Sequence, residues 1–539
     1  MYGLSILEKA FRLEETERAP WVPFVGVHGG KLIGVDATAY LKSSKNIVDG
    51  ISKAIELYKP DGIPVVFDLQ LEAEILGCKL VWSKENPPAV VSHPLTEGIE
   101  LTALRLPEKS DGRIPVVLEA AGELRRKYPN LALYGLITGP FTLALHLMGT
   151  DIFMKLYEDP GYVLEVMDFC KQVGIRHAGF LLDAGCDVIA LVDPMTSQID
   201  PLSFETFVSP YARSIFDFIR FRKKYSSFFV CGHAQQNIEV MCDCRPDNIS
   251  IDENIPLDFV KEIALSKRIS FGGNLKLTVV LLMGDQNDAK HDALACLDLG
   301  GNKGFILAPG CDLPMATPVE NIKAVSELVF SQYLQDVARD LEKNENKLDI
   351  LNMKDYGQSD KVIVDIITLD SESCAPCQYM VEAVKRVAPY FEGVVEWREH
   401  PIKKMEAVSF MSSLMVKNIP TICIDGKIAF VSQIPPQNQL IEAIQKRINE
   451  KLKLKIKSKR SEILILGETE QECKEITKKV RRAITELGKT TTVTVITDKE
   501  QLTLFGVKKG PVLIIVNYKV KSEITAPSLD VIKEWIKEI

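Results

Sequence analysis

Over residues 1–335, short apolar runs rich in β-branched residues alternate with longer segments whose apolar positions recur every three to four residues. The short runs, at 24–27, 62–68, 131–137, 188–193, 227–231, 248–252, 269–273 and 304–308, predict eight strands. The longer segments predict helices, among them 47–58, 160–183, 201–224 and 287–299. Strands that each lead into a helix over this length predict a (β/α)8 TIM barrel, an α/β fold. An open doubly wound sheet is the alternative, and it would leave the polar residues at the strand ends far apart. In a barrel, active groups sit at the C-terminal ends of the strands. His28, Asp68, Asp193, Cys231, Asp252 and Cys311 all fall at or just past such ends.

Beyond the barrel the pattern changes. Residues 336–361 are charged and lose the apolar runs, which reads as a helix end and a linker. A second unit, 362–451, is predicted as strand 362–368, a Cys374-Ala-Pro-Cys377 turn, helix 378–390, strand 393–399, an Ile419-Pro420-Thr421 loop, a further strand and a closing helix 436–451. The stretch 451–460 alternates Lys with Leu or Ile, the pattern of a solvated edge strand in which lysine discourages pairing. A third unit, 461–539, repeats the order of the second: strand, helix 471–487, strand 491–497, then Gly510-Pro511 before strand 512–517. Two tandem copies of one small α/β design are therefore expected.

Composition narrows the class. The 539 residues are enough for several domains, and 46% hydrophobic residues rule out a disordered chain. A net charge of −8 carries no nucleic-acid footprint. No run of 18 apolar residues exists, so no membrane span is predicted, and the first residues lack the apolar core of a signal peptide. The expectation is a soluble cytoplasmic protein, whose long barrel leaves an exposed face that permits a homodimer. The twelve cysteines are too sparse for a disulfide scaffold. Cys78, Cys170, Cys186 and Cys296 sit in apolar stretches and read as small buried hydrophobes.

Two cysteine sets stand apart. Cys231 and Cys311 lie at the mouths of two strands, where thiolates suit zinc. In an extended segment alternate residues point the same way, so His233 is placed to converge with Cys231. Two cysteines and a histidine leave a fourth position open, the pattern of a catalytic zinc that activates a thiol; two unrelated loop cysteines are the plain alternative. Cys374 and Cys377 follow a strand and open a helix, the arrangement of a thioredoxin-like redox site. The helix N-terminus is expected to lower the pKa of Cys374 as nucleophile, with Cys377 as resolving thiol.

Thr138-Gly-Pro-Phe-Thr142, the stretch from Asp193 to Tyr211, Leu307-Ala-Pro-Gly-Cys311 and Thr317-Pro-Val-Glu-Asn321 resemble the uroporphyrinogen decarboxylase superfamily. That superfamily holds both decarboxylases and zinc-dependent corrinoid methyltransferases. The decarboxylase aspartate is matched by Asp68, but the early arginines are replaced by Val27-His28-Gly29-Gly30-Lys31. The tyrosine after the Pro-Phe-Thr motif is replaced by His146, and the late histidine by Cys311. The resemblance therefore favours the methyltransferase branch over uroporphyrinogen decarboxylation. It implies Cys231 and Cys311 as zinc ligands, and Asp68, His28, His146 and Asp193 as groups facing substrate or cofactor. The histidine two residues before the first zinc cysteine is Phe229 here. Either His233 or an acid such as Asp252 or Glu253 then completes the set, or zinc is not bound. Glu72 and Glu74 read as pocket-lining or as a solvated helix face.

Cys374 and Cys377, with Ile419-Pro420, resemble thioredoxin and glutaredoxin folds; in the third unit Glu470 replaces the nucleophile and Cys473 alone remains. The expected activity is zinc-dependent methyl transfer between a partner corrinoid protein carrying methylcobalamin and a small-molecule donor or acceptor such as a thiol. The redox module would keep Cys231 and Cys311, or a thiol substrate, reduced with the help of a redox partner. The alternative is a thiol–disulfide oxidoreductase whose barrel is a ligand or client pocket.

Overall fold

The computed structural model describes residues 3–340, 351, 353, 356, 361–372, 374–458, 462–504, 512–515, 519–523 and 527–537. They form two compact units, Met1–Leu440 and Ile441–Ile539. No described helix is long and apolar enough to cross a membrane.

The first unit is built on seven parallel strands paired in sequence order: Gly62–Pro64, Ala132–Thr138, Val188–Val192, Tyr225–Val230, Asn248–Ile251, Ser270–Leu275 and Phe305–Pro309. Nearly every strand residue is buried, as expected of a parallel sheet covered on both faces. The eighth staff is shorter than a strand. Trp21 bridges Leu307 in parallel, Val22 N–H donates to the Leu307 carbonyl at 2.9 Å, and Asp61 N–H donates to the Trp21 carbonyl at 2.8 Å. These bonds close the sheet into a barrel. The strand expected at 24–27 thus lies earlier and shrinks to a bridge. Pro20 and Pro23 flank Trp21 and Val22, and neither proline has an N–H to extend the ladder.

Helix Pro160–Asp183 forms where expected, started by Pro160 behind an Asp159 side chain that accepts from Tyr162 N–H. The helix expected over 201–224 is two, Pro201–Phe207 and Ser209–Phe221. Pro210 lacks an N–H for the continuing ladder and its ring crowds the carbonyl four residues back, which breaks the run at Val208.

The same compact unit includes a mixed four-stranded sheet in the order Val395–Pro401, Val362–Thr368, Thr421–Ile424, Lys427–Val431. The first pair is parallel and the other two are antiparallel. Helix Ala375–Val387 packs this sheet against the barrel. Its Tyr379 is fully buried within the barrel's own hydrophobic cluster. Polar contacts surround that plug: Gln378 Nε2 donates to the Val90 carbonyl at 2.6 Å, Arg386 Nη1 to Thr150 Oγ1 at 2.9 Å, and Gln198 Nε2 to the Ser432 carbonyl at 2.8 Å.

The closing helix, Gln437–Ser458, runs through most of the stretch expected as an edge strand; residues 459 and 460 lie outside the described residues. Lysine and leucine are both good helix formers, so the continuing helix overrides the two-residue alternation. The second unit pairs Thr492–Ile496, Glu462–Leu466, Val512–Ile515 and Lys519–Glu523 in the same order and directions as the first small sheet. Helix Glu470–Glu486 lies on it, with Cys473, Ile476 and Val480 in the core. The expected Gly510-Pro511 turn lies outside the described residues.

Candidate functional site

A cavity sits at the C-terminal mouth of the barrel, and the cysteine-bearing module forms part of its wall. Four cysteines line it: Cys231 and Cys311 from the barrel, Cys374 and Cys377 from the module. Each barrel cysteine just overruns a strand, Cys231 after Tyr225–Val230 and Cys311 after Phe305–Pro309. Cys374 is the N-cap of helix Ala375–Val387 and Cys377 lies in its first turn. Pro420, in cis linkage to Ile419, faces the same space.

The thiols are paired. A side-chain hydrogen bond with Cys311 raises the Cys231 thiol well above the usual range, with burial and then the charges of Cys311, Asp252 and Cys374 adding to the effect. Cys374 is likewise raised, first by its bond to Cys377 and then by burial. The helix N-terminus is expected to lower the pKa of the Cys374 thiol, whereas its partner thiol and then burial act on it in the opposite direction. Cys377 Sγ accepts the Leu369 N–H at 3.4 Å.

Acids surround the thiols. Asp252 follows strand Asn248–Ile251; its carboxylate accepts the Gly232 N–H at 2.6 Å and the Asn254 side-chain amide at 2.7 Å. Burial still pushes its pKa up to about 6. Glu253 is pushed up to about 8, by burial and then by Asp252. Asp312, raised by burial, accepts the Gly26 N–H at 2.7 Å. Among the described lining residues the one base is Lys403, which donates to Asp370 Oδ2 at 2.6 Å and Asn86 Oδ1 at 2.7 Å.

The expected zinc set is not assembled. Strand Tyr225–Val230 ends before Cys231, and Gly232 turns the chain with φ +86°. The segment is therefore not extended, and His233 is exposed instead of lining the cavity with Cys231. Phe229, on the inward face of the same strand, is 2% exposed and stands edge-on to Phe24 and Phe67, filling the barrel below the thiols. Both Asp252 oxygens accept from the backbone N–H groups of Gly232 and Asn254, and Glu253 Oε1 accepts from that of Leu277. Among the described residues no three His, Cys, Asp or Glu side chains are grouped to hold a metal ion. Two thiols without a third ligand do not fit a catalytic zinc site.

The other expected residues hold structural positions outside the cavity lining. Asp68 is buried in an ion pair with Arg113 at 2.5 Å, which also reaches Glu74 at 2.7 Å. Asp193 accepts Phe141 N–H, Thr142 N–H and Thr142 Oγ1 at 3.1, 2.8 and 2.6 Å, while burial raises its pKa to about 6. It ties the end of one strand to the start of helix Pro140–Met148 and accounts for the Thr-Gly-Pro-Phe-Thr motif. His28 is fully buried, its Nε2 2.7 Å from the Tyr58 hydroxyl, and burial lowers its pKa to about 4. His146 lies under the module with Nδ1 3.2 Å from the Tyr379 hydroxyl; burial and then His93 lower its pKa to about 3. Glu72 is buried against His177 and Thr138. Burial works against its charge, but these partners outweigh it and hold its carboxyl below the ordinary value. Sequence reasoning missed Arg113, Asp312 and Lys403, which contact or line the site only through folding.

This chain belongs to the uroporphyrinogen decarboxylase (URO-D) family, whose profile matches residues 5–331. Among its relatives, the methylcobamide:CoM methyltransferase MtaA of Methanosarcina barkeri is 30% identical over 278 residues, 50% of this chain and 81% of that protein. The methylcobamide:CoM methyltransferase MtbA of Methanosarcina acetivorans is 27% identical over 271 residues, 50% of this chain and 78% of that protein. A solved methyltransferase from Methanosarcina mazei superposes with a TM-score of 0.57 at 26% identity, covering 62% of this chain and 99% of that one.

Proposed function

We propose that the barrel is a methyltransferase that moves a methyl group between a corrinoid carried by a partner protein and a small thiol. The observation that carries this over decarboxylation is the charge of the cavity. Lys403 is the one base among the described lining residues, and it is engaged by Asp370 and Asn86, so a tetrapyrrole with many carboxylates finds no set of cationic partners. The relatives named for methylcobamide and CoM supply the direction of the reading.

The corrinoid, when its carrier docks, supplies a methyl group activated for attack by sulfur. The chain's own residues do the rest. The apolar wall of Phe67, Leu69, Leu277 and Leu313 keeps water from the reacting sulfur. Ionised Glu253 is the acceptor for the proton that an incoming thiol must lose, and because burial and Asp252 raise its pKa to about 8, that form gains population as the pH rises through 8. No step is assigned to zinc, because the donor set does not fit it.

The test is an anaerobic assay with methylcobalamin or a methylated corrinoid protein and a small thiol such as 2-mercaptoethanesulfonate. Loss of the methyl–cobalt absorbance with formation of the methyl thioether is expected, and a substantial loss of rate in Glu253→Gln. Absence of transfer from either methyl donor, or release of carbon dioxide from uroporphyrinogen, overturns the reading.

A second reading, a thiol–disulfide oxidoreductase using the barrel as a ligand pocket, is favoured by Cys374, Cys377 and Pro420 lining one cavity. Cys374→Ser separates the two: methyl transfer survives under the first reading, and all activity is lost under the second.

A further inference from the structure

Two thiol pairs line one cavity, and the methyl-transfer reading gives the second pair no defined partner. The barrel pair, Cys231 and Cys311, lines the cavity as free thiols, and among the described residues no third side chain is grouped with them to hold a metal. Cys374 and Cys377 line the same cavity, also as free thiols. Asp252 and Pro420 line the same cavity, so the two pairs share one site. The module is held in this position by the Tyr379 plug and the contacts of Gln378 and Arg386 with the barrel.

We propose that the two pairs exchange a disulfide within the chain: Cys374 and Cys377 reduce a disulfide formed between Cys231 and Cys311 by an oxidant such as dioxygen or a peroxide, which takes up the two electrons and two protons. Cys374 gives up its proton and attacks Cys231 Sγ, the Cys231–Cys311 bond breaks, and Cys311 leaves as a thiolate that takes up a proton. Cys377 then gives up its proton and attacks Cys374 Sγ, releasing Cys231 as the second thiol. One disulfide is reduced and one is formed, two protons pass from the module's thiols to the barrel's, and no outside electron is needed for the exchange. A dithiol of a partner protein returns Cys374 and Cys377 to the reduced state. In place of a metal site, which Phe229 and the turn at Gly232 do not complete, the barrel then holds a pair of thiols kept reduced by the module in its cavity wall.

The exchange stands on the cavity geometry and not on methyl transfer. Its readout is a covalent bond, so either can fail without the other. In the full chain carrying Cys311→Ser and Cys377→Ser, only the attacking and attacked sulfurs of the exchange remain. Oxidation with diamide, alkylation and peptide mapping under non-reducing conditions should recover Cys231 disulfide-linked to Cys374 as the main product. Both cysteines recovered alkylated, in a chain whose circular dichroism matches the parent, overturns the proposal. Cys374→Ser alone provides a second measurement in case the double variant does not fold. With both pairs of the parent chain oxidised, dithiothreitol should reduce the Cys231–Cys311 disulfide at least about tenfold faster than in Cys374→Ser, because the module relays the electrons. Equal rates overturn it.

Discussion

In the first small sheet, helix Ala375–Val387 starts from Cys374 and brings Cys377 to the barrel cavity. In the second, helix Glu470–Glu486 starts from Glu470 and turns Cys473 into its own core, where it is 1% exposed. Strand order and directions are the same in both. The difference lies in what the start of the helix meets. The first has a Pro at its N1/N2 positions, two sulfurs and a fully buried Tyr379; the second is capped by Thr469 accepting from Glu472 N–H and carries acidic side chains in its first turn. A shared topology sets where a helix starts, and the few residues of its first turns decide whether that start is a reactive surface or part of a core.

The largest effect that would break this contrast is expected at Tyr379. Tyr379→Ala removes a fully buried aromatic ring from the barrel cluster and should cost about 3–5 kcal/mol in denaturant unfolding of the first unit. The unfolding of the second unit should not move. A smaller effect is expected at the two helix-borne cysteines. Cys473→Ser buries a hydroxyl in an apolar core and should destabilise the second unit by about 1–3 kcal/mol without changing the thiols titrated at the cavity. Cys374→Ser should do the reverse, abolishing oxidation of the Cys374–Cys377 pair with little change in stability; Ellman titration before and after diamide reads both.

The pH dependence of the two units should run in opposite directions. Glu253 has its pKa raised from 4.5 to about 8 in the folded chain, so its contribution is fully present below pH 4.5 and is lost as pH rises through 8. Glu253→Gln should flatten that slope in the first unit. In the second unit Glu486 is held below its ordinary value by Lys533 and then Arg482. Its contribution is present at neutral pH and lost as pH falls through the lowered pKa, and Lys533→Ala should remove it. This is the smallest of the expected changes, since Glu486 is on the surface, and a salt titration should weaken it further.

Much of this architecture is legible in the pattern of the chain. The parallel strands read as apolar runs because both faces are covered, and helix Pro160–Asp183 carries its own start signals in Asp159 and Pro160. Cys231, Cys311, Cys374 and Cys377 were identifiable from their place after strands or before a helix. What was not legible depends on backbone turns and long-range pairing. The position of His233 depends on one glycine with positive φ, which turns an extended segment into a bend. Asp68 looked catalytic because its partner Arg113 lies 45 residues away. The lysine-rich stretch after residue 450 kept a two-residue alternation that a helix already under way could ignore. Least legible of all was the meeting of the two cysteine pairs, which depends on contacts between segments more than 200 residues apart, such as His146 with Tyr379.

That contact also bears on how this chain could be rebuilt. Tyr379 belongs to the module by sequence and to the barrel by packing. A barrel excised at the linker would carry a socket open to water, with His146 stripped of its hydroxyl partner. A foreign module grafted in its place would need an aromatic phenol at the same point of its first helix. The seam therefore does not behave as a cut-and-paste joint, and shuffling either half onto a new neighbour means carrying a piece of the other along with it.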